Sequence, residues 1–435
     1  MSRPVTNLKI TEPLDSFPVQ VFDHADTLER LDLSGTGLSA LPDDFSRLKK
    51  LKIAFFSNCH FSVFPRQLAA CPALEMVAFR SNGMTEIPED ALPPRLRWLI
   101  LTNNNIGALP KSIGRCERLQ KCMLAGNQIR SLPDEMAACR KLGLLRLAAN
   151  RFEQLPGWLF DLPELAFFSF AGNPCSPAPA TSQKTATSRL ADVNFADLQI
   201  HAVAGEGASG VVSVATWNGP DQARPVAVKL FRGGITSDGT STDEMRACIQ
   251  AGAHPSLVDT LGIIRNHPED REGLVMELIP GCAKLGLPPS MQSCTRDVFP
   301  PEARLSIKQG LKILLHVASA AVHLHQRGVA HGDIYAHNIL LYDETGHAIL
   351  SDLGAATIYE GGYNMEKLEV LAFAHLIDDV WSLVKPRFDE EELAVGMTLA
   401  ALHRRCTDPQ VSSRPDFVMI HECLKGLGQA YHHLP

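Results

Sequence analysis

Proline recurs along the first part of the chain at positions 42, 65, 88, 110, 133 and 156, in steps of 23, 23, 22, 23 and 23 residues. So regular a spacing admits few folds. It calls for one short supersecondary unit, repeated and stacked, because a single unit of this length cannot bury its own apolar face. Laid on that period, the residues follow L-x-x-L-x-L-x-x-N-x-L-x-x-L-P. Leu96, Leu99, Leu101, Asn104, Ile106, Leu109 and Pro110 carry the pattern, and Leu142, Leu145, Leu147, Asn150, Phe152, Leu155 and Pro156 carry it again. A strand sends alternate side chains to opposite faces, so Leu99 and Leu101 are expected in the core and their neighbours outside. Asn82, Asn104, Asn127, Asn150 and Asn173 stand where the chain leaves each strand, where an amide can satisfy turn backbone groups of adjacent repeats. Cys71, Cys116 and Cys139 each fall six residues after a repeat proline, which reads as packing rather than chemistry.

This pattern resembles the leucine-rich repeat. The resemblance runs from Leu28 to Pro174 in seven turns, with residues 1–27, including Leu14, Phe17 and Pro18, as a degraded capping repeat. Two columns of strand residues are expected on the concave face. One is Arg30, Ile53, Met76, Trp98, Lys121, Leu144 and Phe167; the other is Asp32, Phe55, Ala78, Ile100, Met123, Arg146 and Ser169. Phe55, Met76, Trp98, Ile100 and Met123 make the middle of that face apolar, the usual mark of an interface. Its occupant is expected to be either a separate protein or the remainder of this chain, docked intramolecularly.

Beyond Pro174 the periodicity stops. Residues 175–194 are rich in Ser, Thr, Pro and Ala at their start and read as a linker. At 435 residues the chain is too long for one core and implies two or three domains. Its net charge of −7 speaks against nucleic acid or an anionic membrane as a main partner. The apolar stretch Leu311 to Leu324 is short and interrupted by Lys312, His316 and His323, so no membrane span is expected. The first residues hold no apolar run of secretory type, and the 11 cysteines form no C-x-x-C pair, so a reducing, cytoplasmic setting is expected.

The second half carries motifs in order. Gly205-Glu-Gly207-Ala-Ser-Gly210-Val-Val212 is followed by a strand-like run and then by Val226-Ala227-Val228-Lys229. Dinucleotide-binding sites place a helix after such glycines; here a strand follows. Glu244, with Asp243 as a competing candidate, lies in a helical stretch before a His-Pro turn. Val275-Met276-Glu277-Leu278 reads as a strand with a connecting hinge. His331-Gly332-Asp333-Ile-Tyr335-Ala-His337-Asn338-Ile-Leu340 and Ser351-Asp352-Leu353-Gly354 come next, and Arg404 to Pro415 close the series. Any one piece is weak evidence; the ordered set is specific.

Residues 195–435 resemble the eukaryotic-type protein kinases, and the arrangement is similar to the compact kinase domains of bacterial leucine-rich-repeat serine/threonine protein kinases. The expected fold class is thus an α/β leucine-rich-repeat solenoid followed by an α+β bilobal protein-kinase-like domain with a shortened activation segment. The resemblance implies ATP and Mg2+. Gly205, Gly207 and Gly210 would cover the phosphates, and Lys229 would hold them, fixed by Glu244. Val212, Ala227 and Leu340 would sandwich the adenine, with Glu277 and Leu278 at the hinge and Met276 as gatekeeper. Asn338 and Asp352 would ligate magnesium, a hard cation suited to oxygen ligands. Asp333 would take the proton of the substrate hydroxyl. Serine/threonine specificity follows from the resemblance, not from the residues.

Several positions depart from the family pattern. Gly332 replaces the arginine that often receives an activation-loop phosphate. Tyr335 stands where serine/threonine kinases carry a phosphate-binding lysine, and His337 where tyrosine kinases can carry an arginine. Only 17 positions separate Asp352 from Glu369, which replaces a supporting aspartate; no A-P-E motif fits, and Arg414 has Glu366 as its candidate partner. Two alternatives to an active protein kinase follow: a pseudokinase scaffold that binds nucleotide without turnover, and a kinase of a non-protein substrate.

Overall fold

The computed structural model describes residues 4–177, 190–207, 209–219, 222–342, 346–361, 363–385 and 390–432. Most of the expected linker, residues 178–189, and Ala208 of the glycine loop lie outside them. The described residues form two compact units. One gathers the chain up to Leu165 with Gly172–Cys175 and Ile235–Gly239; the other gathers Ala166–Ala171, Ser176–Gly234 and the chain from Thr240 onward.

The first unit is a solenoid. Its strands are β1 (Asn7–Lys9), β2 (Arg30–Asp32), β3 (Ile53–Phe55), β4 (Met76–Ala78), β5 (Trp98–Ile100), β6 (Lys121–Met123) and β7 (Leu144–Arg146). They pair in parallel and in register, one repeat to the next. The central residue of each strand from β2 on (Leu31, Ala54, Val77, Leu99, Cys122, Leu145) is wholly buried, as pleat alternation requires. Four return stretches open on a repeat proline that leads directly into a single 3-10 turn: Arg66–Ala70 after Pro65, Lys111–Arg115 after Pro110, Asp134–Ala138 after Pro133 and Gly157–Asp161 after Pro156. Cys71, Cys116 and Cys139 are buried beneath these turns. Burial pushes their thiols up to about 12, 11 and 12, so they act as small apolar fillers.

The asparagines bind the stack together. Asn127 Nδ2 donates to Leu101 O in the preceding repeat and to Leu124 O in its own, both at 2.9 Å, while its Oδ1 accepts from Ile106 N–H at 3.1 Å. Asn104 and Asn150 repeat the arrangement on their neighbours. The concave face is less open than its columns imply. Met76 is 5% exposed, and Phe55, Trp98, Ile100 and Met123 are half-buried. The Lys121 ammonium lies 4.5 Å from the Trp98 ring centroid, and Arg146, 2% exposed, donates to Asp238 at 2.9 Å.

The second unit begins with β8 (Phe167–Ser169), then β9 (Ala191–Asn194). Five long or medium strands follow: β10 (Leu198–Glu206), β11 (Gly210–Asn218), β12 (Ala223–Phe231) and, after α1 (Ser241–Ala251), β13 (Thr260–Arg265) with β14 (Gly273–Met276). They form one sheet in the order β10-β11-β12-β14-β13-β9, whose inner face packs Val193, Ala215, Trp217, Val226, Val228, Ile264 and Val275 into a core. Thr240 caps α1 by accepting from Asp243 N–H.

A helical lobe completes this unit. It holds β15 (Ala283–Lys284), α2 (Ile307–Gln326), β16 (Val329–Ala330), β17 (Ile339–Leu341), β18 (Ala348–Leu350), β19 (Thr357–Ile358), α3 (Met365–Leu383), α4 (Glu390–Cys406) and α5 (Phe417–His432). Ser306 and Gln309 form a reciprocal capping box that starts α2. Apolar residues surround α3 on every side (Leu368, Val370, Leu371, Phe373, Leu376, Ile377), the pattern of a helix at the centre of a lobe.

Two outcomes test this account. Asn127→Ala removes three hydrogen bonds and strands the buried Ile106 N–H, while Asn104 and Asn150 still serve the Leu101 and Leu124 carbonyls; an unpaired buried amide costs roughly 1–3 kcal/mol, so urea unfolding is expected to show a loss of about 2 kcal/mol. His254 lies between lobes of the second unit, accepting from Ser256 N–H and contacting Ser319 Oγ. Burial first, then the charges of His323 and His421, lower its pKa to about 4. Since an unfolded histidine titrates near 6.5, the stability of the neutral form is complete above pH 6.5 and is lost as pH falls toward 4. The urea midpoint should therefore drop from pH 7 to pH 5, and drop less in His254→Asn.

Candidate active site

The strands build the roof of a cleft. Because Val226 and Val228 enter the core, Ala227 and Lys229 of β12 must project from the opposite face. Cross-strand register sets Val212 beside Lys229, and Val214 and Met276 beside Ala227, so these five share one surface. Ala227 is buried, while Val212 and Met276 are half-buried. Glu277, exposed, donates its N–H to Asp259 O at 2.9 Å, and Leu278 follows half-buried. Gly205 and Gly207 have open space where a Cβ would stand, so backbone alone lines that edge. Gly210 differs: a Cβ would meet Leu230 O at 2.4 Å, so glycine there is demanded by the sheet itself.

Lys229 and Glu244 are both buried, 8% and 3% exposed, and form a direct ion pair between β12 and α1. Asp243, one residue earlier, instead bonds Thr240 at the helix start and pairs with Arg246. Burial would lower the Lys229 pKa, but Glu244 and Asp352 outweigh it and raise it, keeping the ammonium charged. Burial pushes Glu244 upward, opposed by Lys229. The Lys229 ammonium lies 3.9 Å from the Asp352 carboxylate.

The floor is two loops joined by the β17–β18 hairpin. Asn338, just before β17, accepts through its carbonyl from Ser351 N–H and Ser351 Oγ, both at 2.8 Å. Its side-chain amide donates to Asp333 O at 3.0 Å and to Asp333 Oδ2 at 3.1 Å. His331, wholly buried, accepts from Asp333 N–H at Nδ1, which leaves Nε2 to donate to Ser351 O. Asp352 has a φ of 63° and accepts from Gly354 N–H at 3.1 Å. Enclosure pushes its pKa up, but Lys229 and the Gly354 N–H prevail and hold it below the ordinary carboxylate value. A Cβ at Gly354 would stand 3.1 Å from Asp352 Oδ1 and 3.6 Å from Glu244 Oε2, so the turn lets both acids converge. Leu340 of β17 is half-buried beside Ile349. A separate cavity, lined by Leu285, Leu287, Pro300, Arg304 and Leu383 among others, lies outside this cleft and holds none of its acids.

Donor chemistry gives the fit for magnesium and ATP. Asp352 offers a carboxylate, and Asn338 has its amide oxygen left over once Nδ2 is engaged, an all-oxygen pair that suits a hard cation. No group of three or more His, Cys, Asp or Glu poised for a metal occurs among the described residues, so phosphate oxygens would have to complete the shell. Lys229 supplies the cation for phosphate.

The departures have physical causes. Gly332 has a φ of 74°, and a Cβ there would lie 2.4 Å from Ala355 O, so an arginine cannot occupy this position. Its N–H donates to Glu369, which is 2% exposed and pairs with His325 at 2.8 Å. His337 bonds Asp297 through both its N–H and Nδ1, at 2.9 and 2.8 Å. Asp297 comes from an irregular stretch without motif or period, and no sequence signal announced it. Tyr335, 5% exposed, stacks on Phe167. Arg414 donates to Asp408 O and Lys367 O, while Glu366 accepts from Phe417 N–H at the start of α5.

Comparison with known proteins agrees with this geometry. Residues 198–375 match the family described as protein tyrosine and serine/threonine kinase, and residues 27–48 match the leucine-rich repeat. The chain is 26% identical to the serine/threonine-protein kinase PrkC of Bacillus subtilis over 157 residues, 35% of this chain and 22% of that protein. It is 24% identical to the human serine/threonine-protein kinase TNNI3K over 197 residues, 41% of this chain and 22% of that protein. A third relative is the human PH domain leucine-rich repeat-containing protein phosphatase 1, 35% identical over 94 residues, 21% of this chain and 5% of that protein. The chain thus spans less than a third of each of these relatives. No helix among the described residues is long and apolar enough to cross a membrane. Ordered motifs, two-lobed fold and family matches thus agree on leucine-rich repeats followed by a protein-kinase domain.

Proposed function

We propose that this chain is an ATP-dependent serine/threonine protein kinase whose repeats bind protein. The observation that carries the reading is the convergence of a buried Lys229–Glu244 pair, Asp352 at 3.9 Å from that lysine, and Asp333 bonded to Asn338. Phosphoryl transfer asks for little beyond positioning and charge neutralisation, and these groups provide both. Lys229, fixed by Glu244, holds the non-transferred phosphates. Asn338 and Asp352 would hold magnesium, whose charge would offset that of the phosphate oxygens. Asp333 accepts the proton of a substrate hydroxyl as its oxygen bonds to the terminal phosphorus and the bond to the ADP oxygen breaks. Asn338 orients the Asp333 carboxylate, and His331 holds its backbone. Val212, Ala227 and Leu340 would enclose the adenine, with Glu277 and Leu278 at its edge. The printed names of the relatives support serine/threonine as the acceptor class.

Buried Tyr335, in place of the lysine usual there, favours a second reading, a scaffold that binds nucleotide without turnover. Purified protein with labelled ATP and magnesium, compared with Asp333→Asn, separates the two. Transfer to itself, to protein or to small molecules no greater than that of the variant would leave only the scaffold. Lys229→Met should cost about 2–4 kcal/mol of transition-state stabilisation, two to three decades in rate, with an unchanged circular dichroism spectrum. Undiminished turnover removes Lys229 from the mechanism.

Phosphorylation of the segment after Asp352 is not expected to drive activity. Thr357 is wholly buried, and Tyr359 bonds His325 at 2.8 Å. Phosphatase treatment should leave turnover unchanged, as should Tyr363→Phe. A loss on phosphatase treatment would refute this.

A further inference from the structure

We infer that Phe167 of β8 is a positioning residue for phosphoryl transfer, holding the catalytic loop in place through the Tyr335 ring; the inference rests on the kinase reading above. Phe167 and Tyr335 belong to the same compact unit although 168 positions separate them. Their rings stack with centroids 3.9 Å apart and planes 7° from parallel. The Tyr335 backbone lies between the two residues that matter most: its N–H donates to Asp333 O at 2.8 Å, and its carbonyl accepts from Asn338 N–H at 3.1 Å. Whatever fixes the Tyr335 side chain therefore fixes the spacing of Asp333 and Asn338. On its other side the Tyr335 ring meets His337, with centroids 5.0 Å apart, and His337 is tied to Asp297.

The rest of the segment grips the neighbouring loop. Phe170 N–H donates to Thr357 Oγ1 at 3.1 Å, and the Phe170 ring packs edge-on against Tyr363 at 5.8 Å. Phe168 O lies 3.0 Å from where a Gly332 Cβ would stand. Residues 166–171 thus touch both the loop around Asp333 and the short stretch after Asp352. A 17-position stretch has little chain with which to pack that loop, and β8 supplies the packing. A displaceable plug over the site would be the other use for such a contact. All of Ala166–Ala171 are at most 8% exposed, and three buried phenylalanines resist displacement by a substrate. The segment is a permanent brace.

The experiment uses the full chain with Phe167→Tyr, Phe167→Leu and Phe167→Ala. Positioning through ring stacking predicts that Tyr keeps kcat. Leu and Ala should lower it by on the order of 10- to 100-fold, the scale of a small misplacement, with the KM for ATP within about twofold. Amide hydrogen exchange should quicken in residues 332–338 of the Leu and Ala variants and stay unchanged in β12 and α1. Wild-type kcat in Leu and Ala overturns the inference. So does a higher kcat in Ala, which would make the segment a plug. Unchanged exchange in residues 332–338 overturns it as well. Should the wild type prove to be a scaffold without turnover, exchange decides alone, so failure of the kinase reading and failure of this one are told apart. If Phe167→Ala does not fold, the contrast between Leu and Tyr decides.

Discussion

The catalytic lobe depends on one carboxylate buried where charge is least welcome. Glu369 sits on α3, a helix enclosed by apolar side chains, and is 2% exposed. An unpaired acid there would cost several kcal/mol. Burial pushes its pKa up, yet the His325 contact, the charge of His331 and the Gly332 N–H together hold it below the ordinary value. This contact is thus also a scaffold, because the groups that keep Glu369 ionised include the backbone of the loop that carries Asp333. Helix core and catalytic loop stand or fall together.

The two halves of the chain answer the same physical demand differently. In the solenoid, polar backbone leaving the strands is satisfied locally at fixed offsets, by an asparagine in the later repeats and by Thr36 and Cys59 in the first two. In the helical lobe the equivalent groups are satisfied by residues far apart in sequence: Glu369 for Gly332, Asp297 for His337, Thr357 for Phe170. Periodic satisfaction is legible in sequence and non-periodic satisfaction is not. The proline period and the leucine pattern foretold the three-residue strands. The order of motifs foretold the sheet with Lys229 on it and the loops bearing Asp333 and Asp352. Glu244 could not be told from Asp243 until the helix phase was known, since adjacent residues on a helix point about 100° apart. The openness of the concave columns was not legible either. Arg146 is buried against Asp238, a residue whose placement no repeat pattern encodes. Phe167 takes its expected place in a repeat-sheet strand, but the ring it stacks on lies 168 positions away, and no repeat pattern encodes that contact.

Gly332 has a consequence for what substitution can do here. Its left-handed backbone and the carbonyl of Ala355 pressed against it leave no room for any side chain. An arginine placed there by a single change would meet both obstacles at once, and the short segment after Asp352 would offer it no phosphate to read. A phosphate-reading contact at this point would need the loop rebuilt together with the residue, so point substitution alone cannot install it.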